Sequence, residues 1–181
     1  IFKKAIKKEL NIFKEIKKIR KKLLLNFIGF KAKNIKSELK NEKIAIINLK
    51  HLTLLLIGLC GKKYKGKLVK EQEILLRLAD LVIETYVSES ALLKTEKLIK
   101  IHKKENCITQ IHMTQNYINN ALNIAHIASK EIIMASSTGL TNKLLKSLSN
   151  KLLHPLPINI KEIRRKICEN LEKNEKYSFT I

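Results

Sequence analysis

The chain is poor in the two residues that build tight turns, with 5 glycines and 2 prolines among 181 residues. Turn-rich all-β folds need many more, so they are excluded. Tryptophan is absent, and 4 tyrosines and 5 phenylalanines leave little surface for stacking bases, which counts against single-stranded nucleic acid as a partner. Arginine stands only at Arg20, Arg77, Arg164 and Arg165, and Asp80 is the sole aspartate. Phosphate recognition favours the planar arginine fork, so the net charge of +21, carried on lysine, is weak as a sign of nucleic acid. Lysine in excess together with Ile and Asn reads as the product of an A/T-biased genome, with the basic surface a by-product. Cys60, Cys107 and Cys168 are odd in number and form no CxxC pair. That argues against a disulfide framework and a zinc site and suits a reducing cytoplasm. The longest apolar run, Leu52–Cys60, is interrupted by Thr53 and is shorter than the roughly 20 residues of a membrane span. No secretory apolar segment is visible among the early lysines. A soluble or peripheral cytoplasmic protein is expected, and the opening Ile1 suits a trimmed or partial chain.

What is present is helical periodicity. The apolar fraction of 45% is enough for one core, and the pattern predicts an all-α bundle of about five to six helices. Phe2, Ile6, Leu10, Phe13 and Ile16 form one stripe of a helix over residues 1–28. Lys3, Lys4, Lys7, Lys8, Lys14, Lys17, Lys18, Lys21 and Lys22 form the other. Residues 1–50 hold 16 Lys/Arg against 4 Glu, a net of +12, so this helix is a candidate membrane or partner contact. A mobile, Lys/Asn-rich connection follows, giving a division into 1–41 and a helical domain over 42–181.

Within that domain a helix is expected from about Glu42 to Cys60, ended by Gly61. Another is expected from Leu68 to His102, with Leu75, Ala79, Val82, Tyr86 and Leu93 in register, joined by Leu78, Leu81 and Ile83. Its broad apolar arc suggests the centre of the bundle, where Ala79, Ser90 and Ala91 would admit a close neighbour. Arg77, Asp80 and Glu84 can pair along one edge. Asn106 is placed to cap a helix over Cys107–Ala135, which Ser136, Ser137 and Gly139 break. Shorter helices follow at 141–153 and 160–174, separated by His154-Pro155-Leu156-Pro157, the last capped by Asn159.

Chemical motifs are scarce. Gly61-Lys62-Lys63-Tyr64-Lys65-Gly66-Lys67 has phosphate-loop spacing, but Leu68 replaces the Ser or Thr that would hold Mg²⁺ and no parallel sheet surrounds it. No Glu precedes any of His51, His102, His112, His126 or His154 by three residues, as a di-iron bundle requires. Asp80 with Glu84 could serve as an acid/base pair, though carboxylates beside Arg77 read first as a solvated edge. No active site is nominated.

Residues 69–99, VKEQEILLRLADLVIETYVSESALLKTEKLI, resemble the C-terminal region of acyl-CoA dehydrogenases, nearest the large bacterial enzymes of very-long-chain type. IFKKAIKKELNIF at 1–13, EKIAIINLKHLTLLLIGLCGKKYKGKL at 42–68 and NIKEIRRKICENLEKNEKYSF at 159–179 resemble the same region in order, whereas 103–155 is looser. In that family a glutamate abstracts the α-proton of the acyl-CoA while FAD takes the β-hydride. The resemblance places the family's Glu-Gly-Thr-Asn segment just ahead of Ile1, and its FAD and CoA domains further upstream. It thus implies a structural C-terminal part, cut from a longer chain or left by a broken gene, with no dehydrogenase activity and no FAD of its own. Its expected partners are the catalytic core, further copies in a homo-oligomer, and a membrane at its inner face through residues 1–41. The alternative is a free-standing basic helical protein binding nucleic acid or anionic lipid.

Overall fold

The structure, a computed structural model, describes residues 37–174. Five α-helices account for most of them: α1 Lys40–Tyr64, α2 Gln72–His102, α3 Ile108–Ser136, α4 Gly139–Leu152 and α5 Ile160–Asn174. Two short 3₁₀ turns, Lys65–Lys70 and Glu105–Cys107, join α1 to α2 and α2 to α3. No strand occurs among the described residues, and the all-α bundle read from periodicity holds.

In α1, Ala45, Ile46, Leu49, Leu52, Leu56 and Cys60 recur at helical spacing and are buried, so one face of the helix belongs to the core. The helix runs one turn beyond the expected stop at Gly61, to Tyr64. The reason lies in α3: Lys63 Nζ and Tyr64 Oη donate to the Ala135 carbonyl at 2.7 and 3.2 Å, holding that last turn. Lys65, at φ 48°, then reverses the chain. The phosphate-loop look-alike is therefore the end of a helix and a 3₁₀ turn, with no strand before it. By length and apolarity α1 with its 3₁₀ turn could cross a membrane, contrary to the short-run reading of the sequence. Burial of its leucines against α2 and α3 identifies it as a core helix.

Side-chain pairs give the directions. Lys43 with Glu96 (3.1 Å), Lys50 with Glu89, and Thr53 with Thr85 (3.1 Å) set α1 antiparallel to α2. Thr95 with Thr114 (2.7 Å) and Tyr117 with Glu84 (3.0 Å) set α2 antiparallel to α3. Gln115 donating to Glu42 (2.7 Å), and Cys60 with Ser136 (3.5 Å), lay α3 parallel to α1.

The central helix is α3, not α2 as the broad arc suggested: α3 touches all four other described helices, whereas among them α2 packs chiefly on α1 and α3. The cause is side-chain size. Ala121, Ala125, Ala128 and Ser129 are buried along α3 and let neighbours approach from several sides. On α2, by contrast, Ala79 and Ser90 face solvent and Ala91 is half-buried, so the close neighbour expected there is not one of these helices.

Helix ends follow local chemistry. Asn106 does not cap α3; its Nδ2 donates to the His102 carbonyl at 2.8 Å and so closes the C-terminus of α2, where carbonyls lack partners. The α3–α4 break sits at Ser137, as expected. There the Asn142 amide bonds the Ile133 and Ser137 carbonyls at 3.1 and 3.3 Å, and Gly139 adopts φ 57°. Asn159 Oδ1 accepts from Glu162 N at 3.3 Å and starts α5, again as expected. Arg164 fastens α5 to α3 through Asn116 and Asn120 at 2.9 and 3.0 Å.

Candidate functional surfaces

The nine lysines proposed as a contact stripe, Lys3, Lys4, Lys7, Lys8, Lys14, Lys17, Lys18, Lys21 and Lys22, lie outside the described residues, as do most of 1–41 and the closing 175–181.

The carboxylates on α2 do not form an acid/base pair. Asp80 accepts from Arg77 at 3.3 Å, and Arg77 also reaches across to Glu131 on α3. Glu84 turns away from that cluster and accepts from Tyr117. Burial and this carboxylate hold the Tyr117 hydroxyl protonated to higher pH than usual. Glu131 and Glu84 thus fasten α2 to α3, Asp80 braces Arg77 within α2, and the three-residue edge expected from the sequence reduces to Arg77 with Asp80.

The thiols and imidazoles are no closer to chemistry. Cys60 is buried against Ser136, and burial pushes its thiol pKa up, the opposite of what a nucleophile needs. His102, His126 and His154 are exposed, and His51 and His112 half-buried. Among the described residues no three His, Cys, Asp or Glu side chains come together in a metal-binding group.

A dent lined by His126, Lys130, Ile133, Lys146, Ser149 and Asn150 has a volume of about 170 Å³. Cofactor sites take roughly 300–1,000 Å³, so these residues do not fit a flavin dinucleotide.

The notable surface is the outer side of α2. Its core side carries Ile74, Leu78, Leu81, Ser88, Leu92 and Thr95, all buried. Opposite lies a second stripe: Leu76, Ala79, Ile83, Tyr86, Ser90 and Leu93, all exposed, with the four large side chains 61%, 55%, 71% and 56% accessible. Leu75 and Val82, expected in the buried register with Tyr86 and Leu93, are only half-buried at the boundary. The arc was broad because two apolar stripes share one helix. The outer one steps by 3, 4, 3, 4 and 3 residues, the spacing of a helix–helix seam. No charge falls on it between Glu73 and Lys94, in a chain with 29% charged residues. That combination was visible in the sequence and separates the two stripes. Ile124, Ile127 and Met134 on α3, and Leu140 and Leu144 on α4, are exposed as well.

Comparison with known proteins agrees with this architecture. The profile described as "Acyl-CoA dehydrogenase, C-terminal domain" matches residues 48–150. A probable acyl-CoA dehydrogenase of Bacillus subtilis (strain 168) is 29% identical over 176 residues, which is 97% of this chain and 29% of that protein. The crystal structure of an acyl-CoA dehydrogenase complexed with FAD from Bacillus anthracis superposes with a TM-score of 0.91 at 30% identity, over 98% of this chain and 30% of that one. The chain therefore spans less than a third of the length of each of these two relatives.

Proposed function

The chain belongs to the acyl-CoA dehydrogenase family, whose C-terminal domain it carries, and on that premise we propose that it serves an FAD-dependent acyl-CoA dehydrogenation in fatty acid oxidation as a non-catalytic helical part. The observation that carries this reading is the match to a flavin-complexed relative over 98% of this chain but only 30% of the relative. Among the described residues, Glu84, Glu89, Glu96, Glu131 and Thr95 meanwhile serve to fasten helices to one another. Its work is to dock on the flavin-bearing part of the enzyme, to support the oligomer, and to touch the inner face of the cytoplasmic membrane through residues 1–28. Docking draws support from the exposed apolar side chains of α3 and α4, Ile127, Met134, Leu140 and Leu144, since surfaces of this kind on a small helical unit are covered in its assembly.

The test is co-expression with the polypeptide encoded immediately upstream. A yellow complex that oxidises acyl-CoA, with the separated chain colourless and inactive, is the expected result. An upstream sequence unrelated to a flavin core, or acyl-CoA oxidation by the chain alone, overturns the reading.

A further inference from the structure

The outer stripe of α2 matches itself under a two-fold rotation. Antiparallel pairing with residue numbers summing to a constant sets Leu76 against Leu93, Ala79 against Ser90, and Ile83 against Tyr86. Large faces large at both ends and at the middle, and small faces small between them. We propose that α2 pairs with α2 of a second copy of this chain, antiparallel, about an axis passing between Ile83 and Tyr86.

Three further observations favour a second copy as the occupant. The 3-4 spacing is the one that keeps a seam facing a partner helix, over a length of about 26 Å at 1.5 Å per residue. Glu73 and Lys94, both exposed, flank the stripe on the side nearer α3, one at each end. Antiparallel pairing keeps these flanks on the same side of the seam and brings each Glu73 beside the Lys94 of the other copy, whereas parallel pairing would place the flanks of the two copies on opposite sides and leave the charges unpaired. The one hydroxyl inside the stripe is also ready for burial: Ser90 Oγ already donates to the Tyr86 carbonyl at 2.9 Å, so covering it strands no donor. Between Ala79 and Ser90 the two backbones can come close, which gives these small residues the neighbour that the fold does not supply.

This pairing deepens the oligomeric role proposed above and rests on that reading for its place in the enzyme. It is nevertheless tested on the chain alone, so it can fail without the docking reading failing. The seam is short, and association at micromolar concentration is expected. The experiment is sedimentation equilibrium of the full 181-residue chain and its variants, with helicity checked by circular dichroism. Ile83→Lys should abolish the dimer. Leu140→Lys, at a residue 84% exposed on α4, should leave it intact. Glu73→Lys should weaken it about tenfold, and Glu73→Lys with Lys94→Glu should restore it, a recovery that only this register produces. A monomer at about 100 µM, a dimer indifferent to Ile83→Lys, or no recovery in the double reversal overturns the pairing.

Discussion

Ser88 provides a stability test in which the hydroxyl is the whole difference. It sits on the core side of α2, 0% exposed, and its Oγ meets no hydrogen-bond partner. A neutral polar group buried in this state costs about 1–3 kcal/mol. Ser88→Ala removes it and leaves a space smaller than a methyl group, so the expected change is a gain of about 1 kcal/mol. Ser129 is the control. It is also 0% exposed, but its Oγ donates to the His126 carbonyl at 3.0 Å. The proton that Ser129 and Ser149 share at 2.8 Å therefore comes from Ser149. Ser129→Ala strands the Ser149 hydroxyl, itself buried, and should cost about 1–3 kcal/mol. In a chain of this size each kcal/mol moves the melting temperature by roughly 2–4 °C. The two alanine variants should thus melt on opposite sides of the parent by calorimetry and by urea titration. A Ser88→Ala chain that melts below its parent would mean that the hydroxyl is satisfied in solution, and the reasoning would be refuted.

Two further expectations rest on charge. Burial would raise the Glu96 carboxyl, but the Ser37 hydroxyl at 2.7 Å and the Lys43 ammonium at 3.1 Å outweigh it and hold the pKa below its ordinary 4.5. Burial, helped by the positive charge of Lys166 on α5, holds His112 below its ordinary 6.5. Both folded values are depressed, so both contributions are complete above the ordinary values and are lost as pH falls through the folded ones. Urea midpoints should therefore decline first below 6.5 and again below 4.5, and Glu96→Gln should remove the second step; midpoints flat from pH 7 to about 3 would contradict both assignments. For the N-terminal segment, co-sedimentation with anionic vesicles should be salt-sensitive and lost when residues 1–28 are deleted. Retention by the shortened chain would remove the membrane role.

The sequence carried much of the fold because most of its signals are local. Asn159 and the Ser137–Gly139 break act within one turn of their own position, and both are where the pattern put them. Two of the readings that moved depend on a distant part of the chain. The end of α1 shifted past Gly61 because the Ala135 carbonyl, 71 positions from Tyr64, accepts from it. Asn106 had two ways to serve, forward to α3 or back to His102, and spacing alone does not choose between them. Glu84 left its local partners for Tyr117. For the end of α1 and for Glu84 the competing partner is one that only the packed bundle brings near, whereas Asn106 exchanged one local partner for another.

The reading of α2 as the central helix went astray for a different reason, which bears on what this domain does. A helix apolar nearly all round is buried nearly all round in its working state, and that inference about α2 was sound as physics. What it cannot specify is whose atoms do the burying. Within the described bundle α3 takes the centre, because its alanines admit four neighbours, and α2 is left with a bare stripe. In a chain rich enough in lysine to carry a net charge of +21, no lysine stands at the six consecutive seam positions between Glu73 and Lys94. Solvent would tolerate lysine at any of them, since a snorkelling ammonium on an exposed helix costs little. Six uncharged positions in seam register are therefore better explained by a covering surface than by composition, and Ile83→Lys asks directly whether that surface is a second α2.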